Sequence, residues 1–273
     1  MPKSSVWGVE IDDQSPERVL SFSNDLIHSD NVGFIATVNA EFLILSRKNN
    51  KFKKSLGKAT IRLCDGVGVQ WAAGFHADRY PAIINLLRLP FSGLKLLLSP
   101  GSAGKVIKHR YTGRQLFEDL LSQGSIQGWS FFFLGGAPGV AEKTACKAKA
   151  LYPGINIAGC FAGTPDNPQE IKENLVKSNI LFVAYGPPKQ EVFISESLES
   201  LQTNLAVGVG GTFDYFTQSK PVKSSFRAKK PPEYVATSSL EWLWRLITQP
   251  GRLVRTMRSV FGFAITYAWS RNR

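Results

Sequence analysis

The chain has 273 residues, of which 43% are hydrophobic, and it carries a formal net charge of +12. This length suits one large domain or one domain with an appendage, and the hydrophobic content argues against global disorder. Three scattered cysteines without a C-x-x-C pair, and three histidines without ligand spacing, argue against a disulfide framework and a structural zinc site. Because 1–12 also lacks an apolar leader pattern, we expect a protein of the reducing cytosol.

The positive charge is concentrated toward the C-terminal end. From Lys220 onward there are eleven lysines and arginines and two acids, Glu233 and Glu241, so this segment carries +9 of the +12. Such a concentration favours a polyanionic partner: phosphate groups, nucleic acid or an anionic membrane surface.

Strand and helix patterns alternate over the first two hundred residues. In the first part we predict strands at 5–11, 33–39 and 59–64 and helices at 15–28 and 40–56. Ser15 and Pro16 are typical of the N-cap and first position of a helix. After an irregular region we predict strands at 129–136, 155–161, 180–186 and 204–211 and helices at 139–152, 168–178 and 189–201.

The predicted strands are continuous apolar runs, such as FFFL at 131–134, rather than alternating ones. Such runs are typical of parallel strands that helices cover on both faces. We therefore predict an α/β fold with a Rossmann-like, doubly wound, mostly parallel sheet over 1–218, followed by a helical C-terminal appendage over 219–273.

The segment 79–106 interrupts the alternation. It is rich in leucine and isoleucine, but Arg88, Pro90 and Lys95 break each apolar stretch well before the roughly 20 residues that a membrane-spanning helix needs. Two interpretations stay open, a buried or hairpin insert and a helical piece at a membrane interface.

The segment 238–273 has a helical pattern and is both basic and aromatic. Its tryptophans and arginines interleave along the chain: Trp242, Trp244, Trp269, Arg245, Arg252, Arg255, Arg258 and Arg271. This composition favours a water–lipid interface, and the alternative is a C-terminal helix that only packs on the domain.

Polar candidates for a site fall where the predicted strands end. Thr37 and Asn39 end the second strand, and Asp65 ends the third. Open α/β sheets bind ligands beyond the carboxyl ends of their strands, which makes Asp65 a candidate base. Because Asp is also a favoured N-cap residue, capping of the following helix is the alternative.

Glycine-rich turns follow the later strands, and their bare backbone lets a phosphate or a ribose approach closely. The candidates at these turns are Gly135, Gly136, Gly186, Gln190, Gly210, Gly211 and Asp214. The sequence has neither the G-x-G-x-x-G dinucleotide fingerprint nor a Walker A motif. We therefore predict a nucleotide site of another kind and disfavour an NAD-type oxidoreductase.

Several motifs resemble, in this order, those of the WecG/TagA/CpsF glycosyltransferases: TVNAEF, DGVGVQWA, FFFLGGAPGVAEK, YGPPKQE, GVGGTFDYF and EWLWRLITQPGRLVR. These bacterial enzymes extend a polyprenyl-diphosphate-linked sugar during synthesis of surface polysaccharide or teichoic acid. The resemblance, which covers residues 5–256, implies an inverting transfer of a hexose-type sugar from a UDP-sugar. N-acetylmannosamine, its uronic acid, glucose and similar sugars all stay open as donors. It also implies a Rossmann-like catalytic domain with an appendage that meets the membrane.

The resemblance further implies roles for single residues. Asp65 of DGVGV is similar to the catalytic base, which favours that role over capping, and Asp214 of GGTFD is similar to a nucleoside-binding acid. The residues implied to bind the sugar, the acceptor or the diphosphate are Thr37, Asn39, Arg110, Gln190, Arg245, Arg252 and Arg255. The glycines expected beside the nucleotide are Gly135, Gly136, Gly186, Gly210 and Gly211.

Two features depart from the family pattern. Gln115 stands where the family usually has an Asp, two residues after the glycine of a T-G pair, and 79–106 is an extra apolar insert. Both departures lie where an acceptor would enter.

An inverting transfer needs a carboxylate to take the acceptor's proton, and positive charge or hydrogen-bond donors to stabilise the departing diphosphate. The sequence has no D-x-D pair, so we expect no metal and no other cofactor, with arginines and backbone amides in their place. The expected partners are a UDP-sugar, a polyprenyl-diphosphate-linked saccharide and an anionic membrane surface. We expect a peripheral protein at the inner face of the cell membrane, without nucleic acid, and a homo-oligomer stays open.

The alternative from another functional class is a non-catalytic protein that binds a nucleotide or nucleic acid through its basic tail. It predicts RNA or DNA binding that falls steeply with salt and survives the loss of Asp65.

Overall fold

The computed structural model describes residues 3–75, 80–217 and 262–269, and the element labels below number the elements within these ranges. The described chain begins with an antiparallel hairpin of β1 (Lys3–Val6) and β2 (Val9–Asp12). The prediction of one strand over 5–11 is wrong, because Trp7 and Gly8 adopt positive φ angles of 52° and 71° and form a two-residue turn. Such turns match the twist of paired strands.

Six parallel strands form the main sheet, in the order β4-β3-β8-β7-β5-β6. Their bounds are β3 Gly33–Val38, β4 Ile61–Cys64, β5 Ser130–Gly135, β6 Asn156–Phe161, β7 Ser178–Ala184 and β8 Thr203–Gly208. This sheet, flanked by helices, confirms the predicted α/β class. Every residue of β3 and β4 is buried, as expected for strands that are covered on both faces.

The α-helices are α1 Pro16–Ile27, α2 Ala40–Lys48, α3 Asn50–Gly57, α4 Val67–Phe75, α5 Ala82–Leu98, α6 Gly113–Gln127, α7 Val140–Leu151, α8 Pro168–Asn174, α9 Lys189–Ser197, α10 Thr212–Thr217 and α11 Phe263–Trp269. Short 3₁₀ turns lie at Pro100–Lys105 and Leu198–Ser200. None of the helices in the described part of the chain is both long and apolar enough to cross a membrane.

The predicted helix over 40–56 is two helices that meet at Asn49. The Asn49 side chain accepts a hydrogen bond of 3.0 Å from the Phe52 backbone N–H and caps α3. Asn favours such caps over helix interiors because its side chain competes for nearby backbone groups.

Successive side chains along the strands of the sheet pack into two separate hydrophobic cores, one on each face of the sheet. On one face Phe131, Phe133 and Phe182 pack with α1, α6, α7 and α10, and on the other Phe132 and Leu134 pack with α2, α3, α4 and α9. The helices that follow the neighbouring strands β5 and β7 therefore lie on opposite faces. This arrangement is a topological switch point, where open α/β sheets bind ligands between strand ends.

The segment 79–106 contains one continuous helix, α5, although Pro90 lies inside it. Proline removes one backbone donor and disturbs the preceding turn, but Pro90 is exposed, so that water can reach the freed carbonyl group. The sequence left a hairpin insert and an interfacial helix open, and the structure gives a helix.

The short helix α11 packs into the core. Phe263, Tyr267 and Ala268 are buried, and the Phe263 and Tyr267 rings lie 5.3 and 5.0 Å from the ring of Trp7. On its other side Ile265 and Trp269 are exposed. Part of the predicted appendage therefore belongs to the hydrophobic core of the first domain, while the rest of 219–273 lies outside the described residues.

Candidate active site

The predicted site residues within the described part of the chain gather at one edge of the sheet. All but Arg110 lie at or just after the carboxyl ends of five neighbouring strands, in the order β4, β3, β8, β7 and β5, and Arg110 lies beside the end of β4. They are Thr37, Asn39, Asp65, Arg110, Gly135, Gly136, Gly186, Gln190, Gly210, Gly211 and Asp214. Arg245, Arg252 and Arg255 lie outside the described residues. We call this edge the carboxyl rim.

Asp65 directly follows β4 and is half-buried. Its backbone N–H donates to the Val38 carbonyl oxygen at 2.8 Å, which ties it to the end of β3. The next residue, Gly66, has φ of 114°, and α4 begins only at Val67. Glycine suits this turn because other residues rarely adopt that angle. Asp65 is therefore held at the rim, two residues before the helix.

The charge of Asp65 acts on a neighbouring thiol. Burial raises the pKa of Cys64, the nearby Asp65 carboxylate raises it further, and the Arg110 guanidinium opposes the rise. Asp65 and Arg110 thus both lie within electrostatic reach of the same sulfur, although they are 45 positions apart in the sequence. The fold brings the candidate base and the candidate substrate-binding residue Arg110 to the same corner.

The backbone before and after Arg110 is fixed by residues that the sequence analysis did not single out. The Tyr111 N–H donates to the Cys64 carbonyl oxygen at 3.0 Å, and the Gln70 side chain donates to the Ile107 carbonyl oxygen at 3.0 Å. Asp13 accepts from the His109 N–H at 2.9 Å and from the Lys108 N–H at 3.1 Å. These contacts hold Arg110 next to the end of β4.

The Asp13 carboxylate stays ionised in this role. Burial alone would raise its pKa, but the backbone N–H groups of His109 and Lys108 and the His109 ring more than offset this, so the pKa lies below its usual value. In the sequence, Asp13 can be noticed only as part of the Asp12–Asp13 pair between a strand and a helix. This position does not indicate that its partners lie nearly a hundred residues away.

Thr37 and the start of α6 meet closely. The Thr37 hydroxyl donates to the Gly208 carbonyl oxygen at 3.5 Å, and a Cβ atom placed on Gly113 would lie 3.1 Å from that hydroxyl. Gly113 therefore lets the N-terminus of α6 reach the end of β3. Thr112 caps this helix, and Gln115 completes a capping box by accepting from the Thr112 N–H at 3.3 Å. Gln115, a departure from the family pattern, thus has a structural use here.

Asn39 caps the next helix of the rim. Its side-chain oxygen accepts hydrogen bonds from the Glu41 N–H at 2.9 Å and the Phe42 N–H at 3.2 Å. The cap orients the amide at the end of β3, and its role in substrate binding stays a prediction.

Gln190 connects two glycine turns. Its side-chain oxygen accepts from the Gly186 N–H at 2.9 Å and from the Gly210 N–H at 3.0 Å, and the side chain is only 1% exposed. The sequence predicted that Gln190 lines the sugar and acceptor pocket, which stays a prediction. The structure gives it a positioning role, because it fixes the turns after β7 and β8 relative to each other.

Glu191 is buried behind Gln190. Its Oε1 accepts from the Gln190 side-chain amide at 2.6 Å, and its Oε2 has no hydrogen-bond partner within the described chain. Burial raises the pKa of Glu191 to about 8, while the Gln190 hydrogen bond works in the opposite direction. A neutral carboxyl group therefore lies directly beneath the Gly208 end of β8.

The remaining rim residues lie at glycine turns. Gly135 and Gly136 have φ of 100° and 83°, and a Cβ atom on Gly135 would lie 3.0 Å from both the Ala184 carbonyl carbon and the Tyr185 ring. The two turns after β5 and β7 are thus closely packed. Asp214, in the first turn of α10, is half-buried, and its nucleoside-binding role stays a prediction.

A metal site was not expected from the sequence. Within 3–75, 80–217 and 262–269 no group of three or more His, Cys, Asp or Glu side chains could hold a metal ion. The independence of the chemistry from metal stays a prediction.

Comparison with known proteins identifies the family. The model of the "Glycosyl transferase WecG/TagA/CpsF family" matches residues 4–91 and 92–273. The chain is also 30% identical over 226 residues to an N-acetylglucosaminyldiphosphoundecaprenol N-acetyl-beta-D-mannosaminyltransferase of Bacillus spizizenii, which covers 82% of this chain and 74% of the relative. Together with the parallel sheet and the candidate residues along its carboxyl rim, these matches show that the chain belongs to the WecG/TagA/CpsF family of glycosyltransferases.

Proposed function

We propose that the protein transfers a hexose-type sugar from a UDP-sugar to a saccharide linked to polyprenyl diphosphate, with inversion at the anomeric carbon. The product would serve synthesis of bacterial cell-surface polysaccharide or teichoic acid. The observation that carries the proposal is the carboxyl rim, where Asp65, Arg110 and the glycine turns lie at the ends of neighbouring strands.

The relative supports the substrate class. Its name describes an acceptor in which N-acetylglucosamine is bound through diphosphate to undecaprenol, and a transferred sugar that ends in the β configuration. UDP-hexoses of this type carry the sugar in the α configuration, so a β product requires inversion. Among the donors that the sequence left open, UDP-N-acetylmannosamine is therefore the first to test.

Asp65 would act as the general base. Its carboxylate takes the proton of the acceptor hydroxyl while that oxygen attacks the anomeric carbon and the bond from that carbon to the UDP oxygen breaks. A base for this step needs a fixed position more than a shifted pKa, and the hydrogen bond of its backbone to Val38 supplies the fixed position. One carboxylate is sufficient, since the departing UDP leaves as an anion.

The departing diphosphate would be stabilised by hydrogen-bond donors. Arg110 lies at the same corner as Asp65, and the glycine turns at Gly135 and Gly186 place backbone close to the rim. Arg245, Arg252 and Arg255 of the tail would add charge-assisted hydrogen bonds when the acceptor binds. Arginines and backbone N–H groups would thus supply the stabilisation of the diphosphate that a metal ion supplies in other transferases.

The location follows from the acceptor. A polyprenyl chain anchors the acceptor in a bilayer, and the tail from Lys220 onward carries +9. Each basic residue near an anionic bilayer contributes about 1 kcal/mol, so the tail can hold the protein at the inner face of the cell membrane.

The direct test combines a panel of donors with a short-chain acceptor. The purified full-length protein is incubated with each UDP-sugar and an N-acetylglucosaminyl diphosphate that carries a short alkyl chain, and released UDP is measured. Release that requires both substrates, and that yields a β-linked disaccharide, supports the proposal. Salt-sensitive binding of RNA with no acceptor-dependent release would favour the alternative of a nucleic-acid binding protein.

The same assay tests the metal prediction. Because the sequence has no D-x-D pair, we expect undiminished transfer in excess EDTA. Loss of transfer in EDTA that only added Mg²⁺ or Mn²⁺ restores would contradict it.

A further inference from the structure

Helix α5 has two faces of opposite character. Its outer side chains Ile83, Leu87 and Phe91 are 67%, 68% and 77% exposed, and Ile84, Leu86 and Leu94 are exposed as well. At 1.5 Å per residue the helix is about 25 Å long, so these side chains form an apolar stripe along most of its length. We call them the α5 apolar face. An apolar surface of this extent marks a contact with another molecule or a membrane.

The opposite face of α5 is anchored to the domain. The Trp71 indole donates to the Ser92 hydroxyl at 2.5 Å, and Leu89 and Leu96 pack against the core. The Arg88 guanidinium lies over the rings of Tyr80 and Phe75, at 4.2 and 5.5 Å. The apolar face is thus held outward by its own packing, because the residues facing the protein already have partners.

The surroundings of this face are positively charged. Residues 80–117 contain no Asp or Glu, but contain Arg88, Lys95, Lys105, Lys108, Arg110 and Arg114. Arg88 and Lys95 project from one flank of the helix, between its inner and outer faces. An apolar stripe with basic residues on its flank is the composition of a helix that lies in an anionic bilayer interface.

A helix that packs against α5 also exposes apolar side chains. Helix α11 packs against α5, and its Ile265 and Trp269 are exposed. Tryptophan is enriched at membrane–water interfaces because its ring is apolar and its N–H is polar. The two helices together present a wider apolar surface than α5 alone.

We propose that the α5 apolar face, together with Ile265 and Trp269, inserts into the interface of an anionic lipid bilayer. The inference rests on the proposed function, because the lipid-linked acceptor is the reason to expect a bilayer beside the protein. It goes beyond that function by assigning membrane contact to the 79–106 segment rather than to the basic tail alone.

The position of α5 gives this contact a consequence for catalysis. Trp71, which binds Ser92 of α5, belongs to the helix that begins two residues after Asp65. The chain that leaves α5 returns through Ile107 and Tyr111 to the end of β4, where Asp65 lies. Insertion of α5 would therefore fix the height of Asp65 above the bilayer and align it with the diphosphate of an acceptor embedded in the same bilayer.

The test measures vesicle binding of full-length variants. Leu87→Gln/Phe91→Gln removes the apolar side chains and keeps a helix-forming residue without adding charge. The matched control is Ile126→Gln/Leu151→Gln, which makes the same change at exposed positions of α6 and α7 on the other side of the sheet. Each protein is sedimented with vesicles of equal parts phosphatidylglycerol and phosphatidylcholine, and with vesicles of phosphatidylcholine alone.

We expect the α5 double variant to bind the anionic vesicles at least about tenfold more weakly than the wild type does, and the control variant to bind like the wild type. The variant should also lose transfer to a long-chain acceptor in vesicles while retaining transfer to the short-chain acceptor. Unchanged vesicle binding would overturn the inference. Sedimentation velocity tests the other occupant of this face. If the wild type is a dimer and the variant is a monomer that still binds vesicles, the face binds a second copy of the chain and the inference is overturned.

Two further measurements keep the outcomes separate. If the first variant is not folded by circular dichroism, Ile83→Gln/Leu94→Gln alters the same face at other positions and must show the same loss. If vesicle binding follows the prediction but no donor yields transfer to the short-chain acceptor, the membrane surface stands and the proposed function fails. The opposite result, transfer without any effect of α5 on vesicle binding, removes only this inference.

Discussion

The carboxyl rim and the α5 apolar face differ in whether their side chains are bound to other parts of the protein. At the rim, polar groups bind one another across long distances in sequence, as Gln190 does with Gly210 and Asp13 does with His109. On α5, the inner side chains are bound to α4 and the core, and the outer apolar ones are exposed. One region is organised to hold a polar ligand in a fixed geometry, and the other to face an apolar environment.

This difference separates two requirements of the proposed reaction. Stabilising a departing diphosphate needs donors that are already in place, since reorganising them during the reaction would raise the barrier. Contact with lipid needs only area and a basic flank, so single residues there contribute small and similar amounts. Substitutions at the rim should therefore act on the rate of transfer, and substitutions on α5 should act on membrane binding.

The largest effect outside Asp65 is expected in the tail. Arg245→Ala or Arg252→Ala should lower transfer to the short-chain acceptor by about 10²-fold, because a donor to developing charge contributes about 2.7–4 kcal/mol. Vesicle binding should change little, since many basic residues share it. Arg271→Ala removes the same charge from the same tail and serves as the control, with transfer near the wild-type rate. Equal small effects for all three variants would show that the tail only binds the membrane.

A truncation is less suitable for this purpose than single substitutions. Removing everything from Leu240 onward would also remove Phe263 and Tyr267, which are buried against Trp7 and Trp71. Their removal would expose these tryptophans and leave a cavity, which costs about 3–5 kcal/mol for each large aromatic side chain. Single arginine substitutions avoid this loss of stability.

A second test of the comparison concerns Gln190. Gln190→Ala should lower the free energy of unfolding by about 1–3 kcal/mol, because the partly buried N–H groups of Gly186 and Gly210 lose their acceptor. Transfer should fall by about tenfold as the two turns lose their relative position. Chemical denaturation and the transfer assay measure the two effects. Gln169→Ala, at an exposed Gln that pairs with Glu173, should change stability by less than about 0.5 kcal/mol; a similarly small change at Gln190 would contradict its positioning role.

The last prediction before the central one concerns the pH dependence of stability rather than transfer, and it lies beneath the rim, at Glu191. Its pKa is about 8 in the folded protein against an ordinary value of 4.5, so between these pH values the folded protein holds a proton that the unfolded chain has released. The free energy of unfolding must then fall as pH rises through this window, by up to about 1.4 kcal/mol per pH unit. Glu191→Gln should match the wild type near pH 5 and be the more stable protein near pH 8. Parallel pH profiles for the two proteins, measured by chemical denaturation, would show that Glu191 is ionised in the folded state.

The sheet was predictable because its strands are short, continuous apolar runs between turn residues, such as FFFL in β5 and ILFVA in β7, which are typical of parallel strands buried on both faces. The rim was predictable for the same reason. Once the ends of the strands are known, the polar residues that follow them can be placed at the carboxyl edge of the sheet. The N-terminal hairpin was not, because a positive φ at Trp7 is unusual for a bulky residue and the apolar residues on either side of the turn are typical of one strand.

The connections between rim residues were also beyond the sequence. Nothing local to Gln190 shows that it bonds Gly210, twenty positions later, or that Asp13 holds the backbone before Arg110. Such pairs depend on the order of strands in the sheet, which the alternation of elements leaves open. Likewise the composition of α5 left two interpretations, and only the packing of Ser92 and Leu89 shows which side faces outward.

The central claim is that Asp65 is the base of a sugar transfer at the carboxyl rim. Asp65→Asn keeps the size and the capping ability of the side chain but removes its basicity. With UDP-sugar and the short-chain acceptor, we predict a fall in kcat of about 10²–10⁴-fold, with unchanged thermal stability and unchanged binding of UDP. Asp166→Asn, at an exposed carboxylate that pairs with Lys189, should transfer at the wild-type rate. A turnover of Asp65→Asn within about twofold of the wild type would contradict the claim, since general base catalysis contributes about 10²-fold or more.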